Sequence, residues 1–161
     1  MSCLICARSA DDKLCPKHSK DYIWDSSIQG FRLRQRGRGS RYNINKFHLT
    51  ETKLARIVEN LYGKSNVVVS YYPLWAITPK GVLYEYDILV KNKNILIAYH
   101  GQQHYEYTKF FHKSKKMFKK LQSNDKVKRE LSSKNKYTYI EFAYNEPIIK
   151  QYVIGRIHKS K

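Results

Sequence analysis

Apolar residues recur at helical spacing between residues 50 and 63, in the segment TETKLARIVENLYG. Their positions follow i, i+3, i+4 and i+7, which places them on one face of a helix. They are Leu54, Ile57, Val58 and Leu61. Thr50 is suited to begin this helix and Gly63 to end it. Glu51 comes three residues before the first of them, so its carboxylate lies on or beside the buried face.

Four later segments have the composition and length of strands, because β-branched, aromatic and other apolar residues dominate them. They are residues 67–72, 83–90, 94–99 and 137–142. The second and third are joined by the turn-like KNKN, and a lysine-rich region over 109–133 predicts a long helix before the fourth. Pro147 then opens a basic tail. We therefore predict an α/β core with a mixed sheet flanked by helices.

The remaining segments divide the chain into four parts. Residues 1–22 contain every cysteine and predict a small metal-binding knuckle, and residues 23–48 form a basic arm or linker. Residues 49–146 form the core, and 147–161 form the tail. A chain of 161 residues has room for one ordinary domain and a small appendage of this kind.

The cysteines follow the pattern C-x2-C-x8-C-x2-H, formed by Cys3, Cys6, Cys15 and His18. Two close pairs separated by a short loop are typical of tetrahedral zinc. Four protein ligands leave no open position, so this Zn2+ would be structural and would stabilise a segment too short to have its own core. The alternative is three unconnected thiols and a surface histidine.

Net charge indicates the kind of partner. The chain has 31 Lys and Arg against 13 Asp and Glu, a net charge of +18, which favours a polyanion: nucleic acid first, an acidic membrane surface second. A generic solubilising surface would not concentrate its charge, whereas here six basic residues fall in 30–46 and eleven in 109–136. The candidate DNA contacts are Arg32, Arg34, Arg36, Arg38 and Arg41 in the first block, and Lys115, Lys116, Lys119 and Lys120 in the second. The first block either enters a minor groove or is a flexible charged linker.

Apolar runs in this chain are all much shorter than the roughly 20 residues that span a bilayer. The first 15 residues lack the long apolar segment of a signal peptide. We therefore expect an intracellular protein without a membrane partner.

Polar residues occur on two neighbouring predicted strands of the core, at positions that could adjoin each other. Alternation puts Asp87 on a face with Leu83, Glu85 and Leu89 of one strand, and His100 at the end of the next strand. These two could meet at one end of a sheet.

Asp125 lies on the apolar stripe of the long helix, with Phe118 and Leu121, where a carboxylate needs a partner. His104 lies in the loop before that helix and is the natural candidate. Taken singly, each of these polar residues could be a cap, an edge residue or a solvated side chain. Together they predict one site.

The order of these residues resembles the very-short-patch-repair endonucleases and the phage homing endonucleases with an EDxHD motif, within the PD-(D/E)xK nuclease fold. ETKLARIVENL is similar to the first helix of the group, YEYDILVKNKNILIAYHGQQHY to its strand, turn and histidine loop, and FKKLQSNDKVKREL to its following helix. The similarity covers about residues 50–142. The group implies a PD-(D/E)xK restriction-endonuclease-like core. A zinc knuckle also recurs in phage homing endonucleases.

The resemblance implies Mg2+- or Mn2+-dependent hydrolysis of a phosphodiester in double-stranded DNA. Asp87 and the main-chain carbonyl of Tyr99 would hold the metal, which polarises the phosphate. Glu51 would orient a water, His100 would assist the leaving oxygen or hold the phosphate, and His104 paired with Asp125 would act as general base. The histidines stand one residue closer together than in the repair enzymes, so Gln103 competes with His104 for this role.

Ala98 departs from the pattern of many phage relatives, which have glutamate there. The repair enzymes also lack it and use the neighbouring carbonyl. Ala98 is thus compatible with an active enzyme and with a weakened one.

Three functions follow from these observations. The first is a phage-type homing endonuclease, acting in the host cytoplasm. The second is a sequence-specific binding protein on an inactive or attenuated nuclease fold, and the third is a repair-type endonuclease that nicks damaged duplex. One site per chain cuts both strands only through a homodimer or through two successive events.

Overall fold

The computed structural model describes residues 3–5, 14–33 and 49–160, excluding the side chains of residues 16, 17 and 33. Its strands are β1 Tyr22–Asp25, β2 Gly30–Leu33, β3 Val67–Pro73, β4 Tyr86–Val90, β5 Ile95–His100 and β6 Thr138–Ala143. Its helices are α1 Pro16–Asp21, α2 Leu49–Tyr62, α3 Lys115–Lys134 and α4 Lys150–Lys159.

The six strands form one mixed sheet in chain order, β1 to β6. The first four pairings are antiparallel, whereas β5 and β6 run parallel, with Ile95 opposite Thr138 and His100 opposite Ala143. A parallel pair requires a crossover connection, and α3 lies within that crossover. These features confirm the predicted α/β class, with a mixed sheet and flanking helices.

Helices α2 and α4 cover one face of the sheet. The helical stripe of α2 includes Leu54 and Val58, and α4 contributes Val153 and Ile157. They pack on apolar residues of strands β3 to β6, including the fully buried Ile97. The strands beneath these two helices have near-continuous apolar sequences, and such sequences are typical of buried strands. The sequence pattern therefore predicted them.

Helix α3 lies over the opposite face, where Leu131 packs beside Tyr86 and Tyr139. The hydroxyl of Tyr86 donates to the Lys128 carbonyl at 3.1 Å, and Ser132 Oγ lies 3.2 Å from the same hydroxyl. This anchorage holds the central part of α3 against β4 and β6 and so fixes the position of Asp125, one turn earlier.

Four of the described strands and helices were not predicted. Helix α1 lies in the segment assigned to the knuckle, residues 22–33 of the knuckle and arm contain β1 and β2, and the tail contains α4. The β1–β2 hairpin is short and carries exposed Ile23 and Trp24, so it lacks a clear alternating pattern. The α4 helix has no side-chain cap and buries only Val153 and Ile157.

Two predicted elements differ from the structure. The strand expected over 83–90 begins only at Tyr86, and the helix expected from 109 begins at Lys115, after the Ser114 cap. Leu83, predicted to share a face with Glu85, Asp87 and Leu89, lies outside β4 and packs in a different cluster from Leu89, so the prediction is wrong for this residue. Strict alternation fails because Tyr86 and Leu89, three residues apart, pack on the same side.

Truncating Ile97 to alanine is expected to lower the free energy of unfolding by about 3 kcal/mol, because it leaves a cavity between the sheet and α2. Urea denaturation measures the loss. Ile149→Ala, at a position that is 51% exposed, serves as the control and should change stability by less than about 0.5 kcal/mol. Equal losses in both variants would contradict the assignment of this face as the core.

Candidate active site

The sheet forks beside Asp87. The β4–β5 pairing extends only to Ile88 opposite Ile97, while β5 continues along β6 as far as His100. In place of a strand partner, the carboxylate of Asp87 accepts a hydrogen bond from the Tyr99 main-chain N–H, with an Oδ2–N distance of 2.8 Å. A side chain thus replaces the backbone ladder at this point, and the two strands can separate without leaving a buried donor unpaired.

A cleft of about 630 Å³ opens at the fork. Its walls come from the start of α2, the end of β5, the loop before α3 and the segment after β6. The lining residues are Glu51, Asp87, Tyr99, Gly101, Gln102, Gln103, His104, Phe110, Phe111 and Tyr144. Four of the residues predicted as catalytic therefore line one cleft: Glu51, Asp87, Gln103 and His104.

His104 is held by Asp125. A 3-10 turn, Gln102–His104, follows β5 and places the imidazole beside α3, where Nδ1 lies 2.8 Å from Asp125 Oδ2. Asp125 is buried, so this contact provides the partner that a carboxylate on a helix stripe requires. The His104–Asp125 pairing expected from the sequence is present. It occupies Nδ1 of His104, which lines the cleft, and Nε2 is the other nitrogen of that ring.

His100 lies behind His104 and does not line the cleft. The two rings stack with centroids 4.2 Å apart and planes 7° from parallel. Burial and the neighbouring His104 lower the pKa of His100 to about 4, so the ring is neutral at pH 7. His100, expected to assist the leaving oxygen or to hold the phosphate, therefore stands inside the protein and supports the ring of His104.

Asp87 carries an unfavourable negative charge. Burial raises the pKa of its carboxyl group to about 7; Lys128 opposes this rise, and the nearby charge of Glu51 adds to it. Two carboxylates at one cleft therefore repel each other in a partly desolvated place. A divalent cation would relieve this repulsion, so the carboxylates of Asp87 and Glu51 are suited to hold a hard metal ion.

Glu141 on β6 was missed by the sequence analysis. It stands opposite Ala98 in the parallel pairing, and its Oε2 accepts from Arg129 Nε at 2.9 Å. Its other oxygen, Oε1, lies 3.6 Å from His100 Nε2. The available signal was a lone acidic residue inside the apolar strand YIEF. Phe110, Phe111 and Tyr144 of the cleft wall were also missed.

The predicted DNA contacts fall in two groups. Lys115, Lys116, Lys119 and Lys120 are exposed on the first turns of α3, immediately after Phe110 and Phe111 of the cleft wall. Arg32 lies on β2, where its Nε donates to Asp25 Oδ2 at 2.7 Å. The other predicted contacts, Arg34, Arg36, Arg38 and Arg41, lie outside the described residues.

Three predicted zinc ligands converge at the N-terminus. His18 Nδ1 lies 3.5 Å from Cys3 Sγ and 3.4 Å from Cys15 Sγ, and both cysteines are buried. This cluster is compatible with a zinc site. Cys6, the fourth predicted ligand, lies outside the described residues. The cluster is joined to the core by the Leu83 N–H, which donates to the Leu4 carbonyl at 2.6 Å.

No family model matches the chain, and no solved structure matches it. A protein of Invertebrate iridescent virus 6, described as "Uncharacterized protein 307L", is 32% identical over 73 residues. The match covers 45% of this chain and 37% of that viral protein, so it relates only a part of each. Among the described residues, no helix is long and apolar enough to cross a membrane.

Asp87→Asn is expected to stabilise the metal-free protein at neutral and higher pH. Because the pKa of Asp87 is raised on folding, from 3.8 to about 7, wild type loses stability as pH rises from about 4 to 7, whereas asparagine keeps the Tyr99 contact without the charge. Thermal unfolding in EDTA between pH 4 and 8 measures the difference, with Glu130→Gln, an exposed carboxylate of α3, as control. A stability gap that does not widen with rising pH would refute this.

Proposed function

We propose that the chain is a metal-dependent DNA endonuclease, built on a PD-(D/E)xK-type core and related in design to the phage homing endonucleases of the EDxHD and very-short-patch-repair group. The observation that carries this proposal is the fork, where Asp87 lines the same cleft as His104, whose ring is held by Asp125. A phosphodiester in that cleft would meet an acidic metal-binding group and a histidine base together.

Asp87, with Glu51 nearby and the main-chain carbonyl of Tyr99, would hold Mg2+ or Mn2+. Magnesium keeps several waters and needs few protein oxygens, which suits a site with so few carboxylates. The ion would supply Lewis-acid stabilisation of the charge that develops on the phosphate. Glu51 would orient a water at the same end of the cleft.

His104 is the candidate general base. With its Nδ1–H donated to Asp125, the imidazole exposes the Nε2 lone pair, which can take a proton from an attacking water. Asp125 fixes the tautomer and stabilises the imidazolium that forms. His100 packs flat beneath the ring and limits its rotation. Gln103, also in the cleft wall, is the alternative group for orienting the water or holding the phosphate.

The basic residues support double-stranded DNA as substrate. Four exposed lysines on the first turns of α3 follow directly on the cleft, where a duplex with its phosphate in the site would pass. The net charge of +18 favours association with a polyanion over the whole surface. A homodimer, or two successive events, would be required to cut both strands, and we place the enzyme inside the cell.

Cys3, Cys15 and His18 would hold a structural Zn2+, with Cys6 as the fourth ligand. This ion would stabilise the N-terminal segment, which docks on the core through Leu4 and Leu83.

Ala98 favours one alternative. Many of the phage enzymes that the chain resembles have glutamate at the position of Ala98. Here Ala98 is fully buried and stands opposite Glu141 of β6. A chain in which this change has weakened metal binding would be an attenuated nuclease or a sequence-specific DNA-binding protein on a nuclease fold. A repair-type nicking enzyme is the third candidate and differs in cutting one strand of damaged duplex.

Wild-type protein is expected to cleave supercoiled plasmid with Mg2+ or Mn2+ and to stop in EDTA. Asp87→Asn should lower the rate by at least about a hundredfold, because it removes the metal-binding charge. Gel electrophoresis of nicked and linear plasmid measures the rate and separates nicking from double-strand cleavage.

Glu130→Gln, which removes an exposed carboxylate on the same protein, is the matched control and should cleave like wild type. Binding of the same DNA without cleavage, in wild type and Asp87→Asn alike, would favour the DNA-binding alternative. Equal cleavage by wild type and Asp87→Asn would exclude the proposed mechanism.

The purified protein is expected to retain at least one zinc ion per chain after dialysis, and Cys15→Ser should lose it and unfold at a lower temperature, because a ligand buried in the cluster is removed. Elemental analysis gives the metal content and thermal unfolding the stability. Ser123→Ala, at an exposed position of α3 away from the cluster, is the control. A wild-type content far below one zinc per chain would contradict the proposal.

A further inference from the structure

Two buried polar atoms face each other behind the cleft. His100 Nε2 and Glu141 Oε1 lie 3.6 Å apart, and neither has a hydrogen-bond partner among the residues that the structure describes. His100 is 4% exposed, so water does not replace the missing partner from outside. Leaving such groups unpaired costs free energy, and a native protein usually has a reason for it.

A third ligand atom points at the same place. Asp125 Oδ1 lies 4.0 Å from His100 Nε2, while the other oxygen of Asp125 is occupied by His104. Arg129 holds the second oxygen of Glu141 in the same way. Each carboxylate is thus fixed by one oxygen and directs the other towards His100. The three residues come from α3, β5 and β6, so the fold itself assembles the group.

His104 is not part of this group, although one of its ring nitrogens lies within 4.8 Å of ligand atoms of His100 and Asp125. A metal ion binds in the plane of an imidazole ring, along its nitrogen lone pair. The two rings are stacked with nearly parallel planes, so one ion cannot lie in both planes. His104 Nδ1 is also already in contact with Asp125 at 2.8 Å.

From this arrangement we infer that His100 Nε2, Asp125 Oδ1 and Glu141 Oε1 form a second metal site, which binds one first-row transition-metal cation such as Zn2+ or Mn2+. Ligands at about 2.0–2.2 Å from a tetrahedral ion lie roughly 3.3–3.6 Å from one another. His100 Nε2 lies 3.6 Å from Glu141 Oε1 and 4.0 Å from Asp125 Oδ1, so the two carboxylate oxygens would have to close on the ion when it binds. An imidazole ligand favours transition metals over Mg2+.

This site is separate from the cleft and from the cysteine cluster. It lies on the α3 side of the sheet, and neither His100 nor Glu141 lines the cleft. Asp125 links this site to His104, because its Oδ2 contacts His104 and its Oδ1 faces His100. A cation here would neutralise the two carboxylates and provide His100 Nε2 with a partner.

Metal titration of the full chain, first stripped with a chelator and then saturated with Mg2+, tests the inference. Wild type is expected to bind two equivalents of Zn2+, one at the cysteine cluster and one here. With Co2+ as the optical probe, one equivalent should show thiolate charge-transfer absorption and the other only the weak visible bands of nitrogen and oxygen ligands. Glu141→Gln should weaken the second equivalent by at least about tenfold and leave the thiolate equivalent unchanged.

Glu146→Gln is the matched control and should leave both equivalents intact, because that carboxylate accepts a hydrogen bond from the Tyr152 hydroxyl and forms an ion pair with Arg156, apart from His100. If circular dichroism shows that Glu141→Gln folds poorly, His100→Gln is the second variant. It should weaken binding of the second equivalent to the same extent. A single equivalent in wild type, or equal second-site affinity in wild type, Glu141→Gln and His100→Gln, would overturn the inference. Plasmid cleavage is scored separately, so an active nuclease with one zinc would refute this site and keep the proposed function.

Discussion

The hydrogen bond from the Tyr99 N–H to the Asp87 carboxylate determines how the rest of this molecule is arranged. Strand β4 pairs with β5 only as far as Ile88, and this side chain satisfies the next donor of β5 in place of a backbone carbonyl. The sheet can therefore open into a cleft while β5 continues along β6 to His100. The cost is a carboxylate whose pKa rises to about 7 through burial and the charge of Glu51. Such a balance, in which packing supports an unfavourable charge, is characteristic of functional sites.

Charge is distributed unevenly over the molecule, and in the proposed function this distribution couples DNA binding to metal binding. The chain as a whole carries +18, yet the fork concentrates Glu51 and Asp87 in the cleft, with Asp125 and Glu141 behind it. A phosphate attracted by the surrounding lysines would be repelled by the carboxylates at the cleft itself. In the proposed function a divalent cation removes that repulsion, so productive DNA binding and metal binding favour each other.

The sequence predicted the central elements well, because α2 and the buried strands have strong periodicity, and it placed Asp87, His104 and Asp125 near one another. It could not place His100 behind His104, since strand alternation says which face a residue takes but not which of two histidines reaches the cleft. The sequence pattern also could not identify Glu141 as a neighbour of the site. Its partner Ala98 lies more than 40 residues away in the chain, and local pattern does not determine the register of the parallel β5–β6 pairing. The β1–β2 hairpin and α4 were missed because their apolar positions are few and partly exposed.

We propose that the fork at Asp87 binds the metal ion used to cleave DNA. Anomalous diffraction from crystals of the protein grown with duplex DNA and Mn2+ tests this most directly. We expect an anomalous peak within coordinating distance of an Asp87 carboxylate oxygen and the Tyr99 carbonyl, with a DNA phosphate as a further ligand. DNA bound on another surface, with no Mn2+ beside Asp87 at saturating concentration, would contradict it.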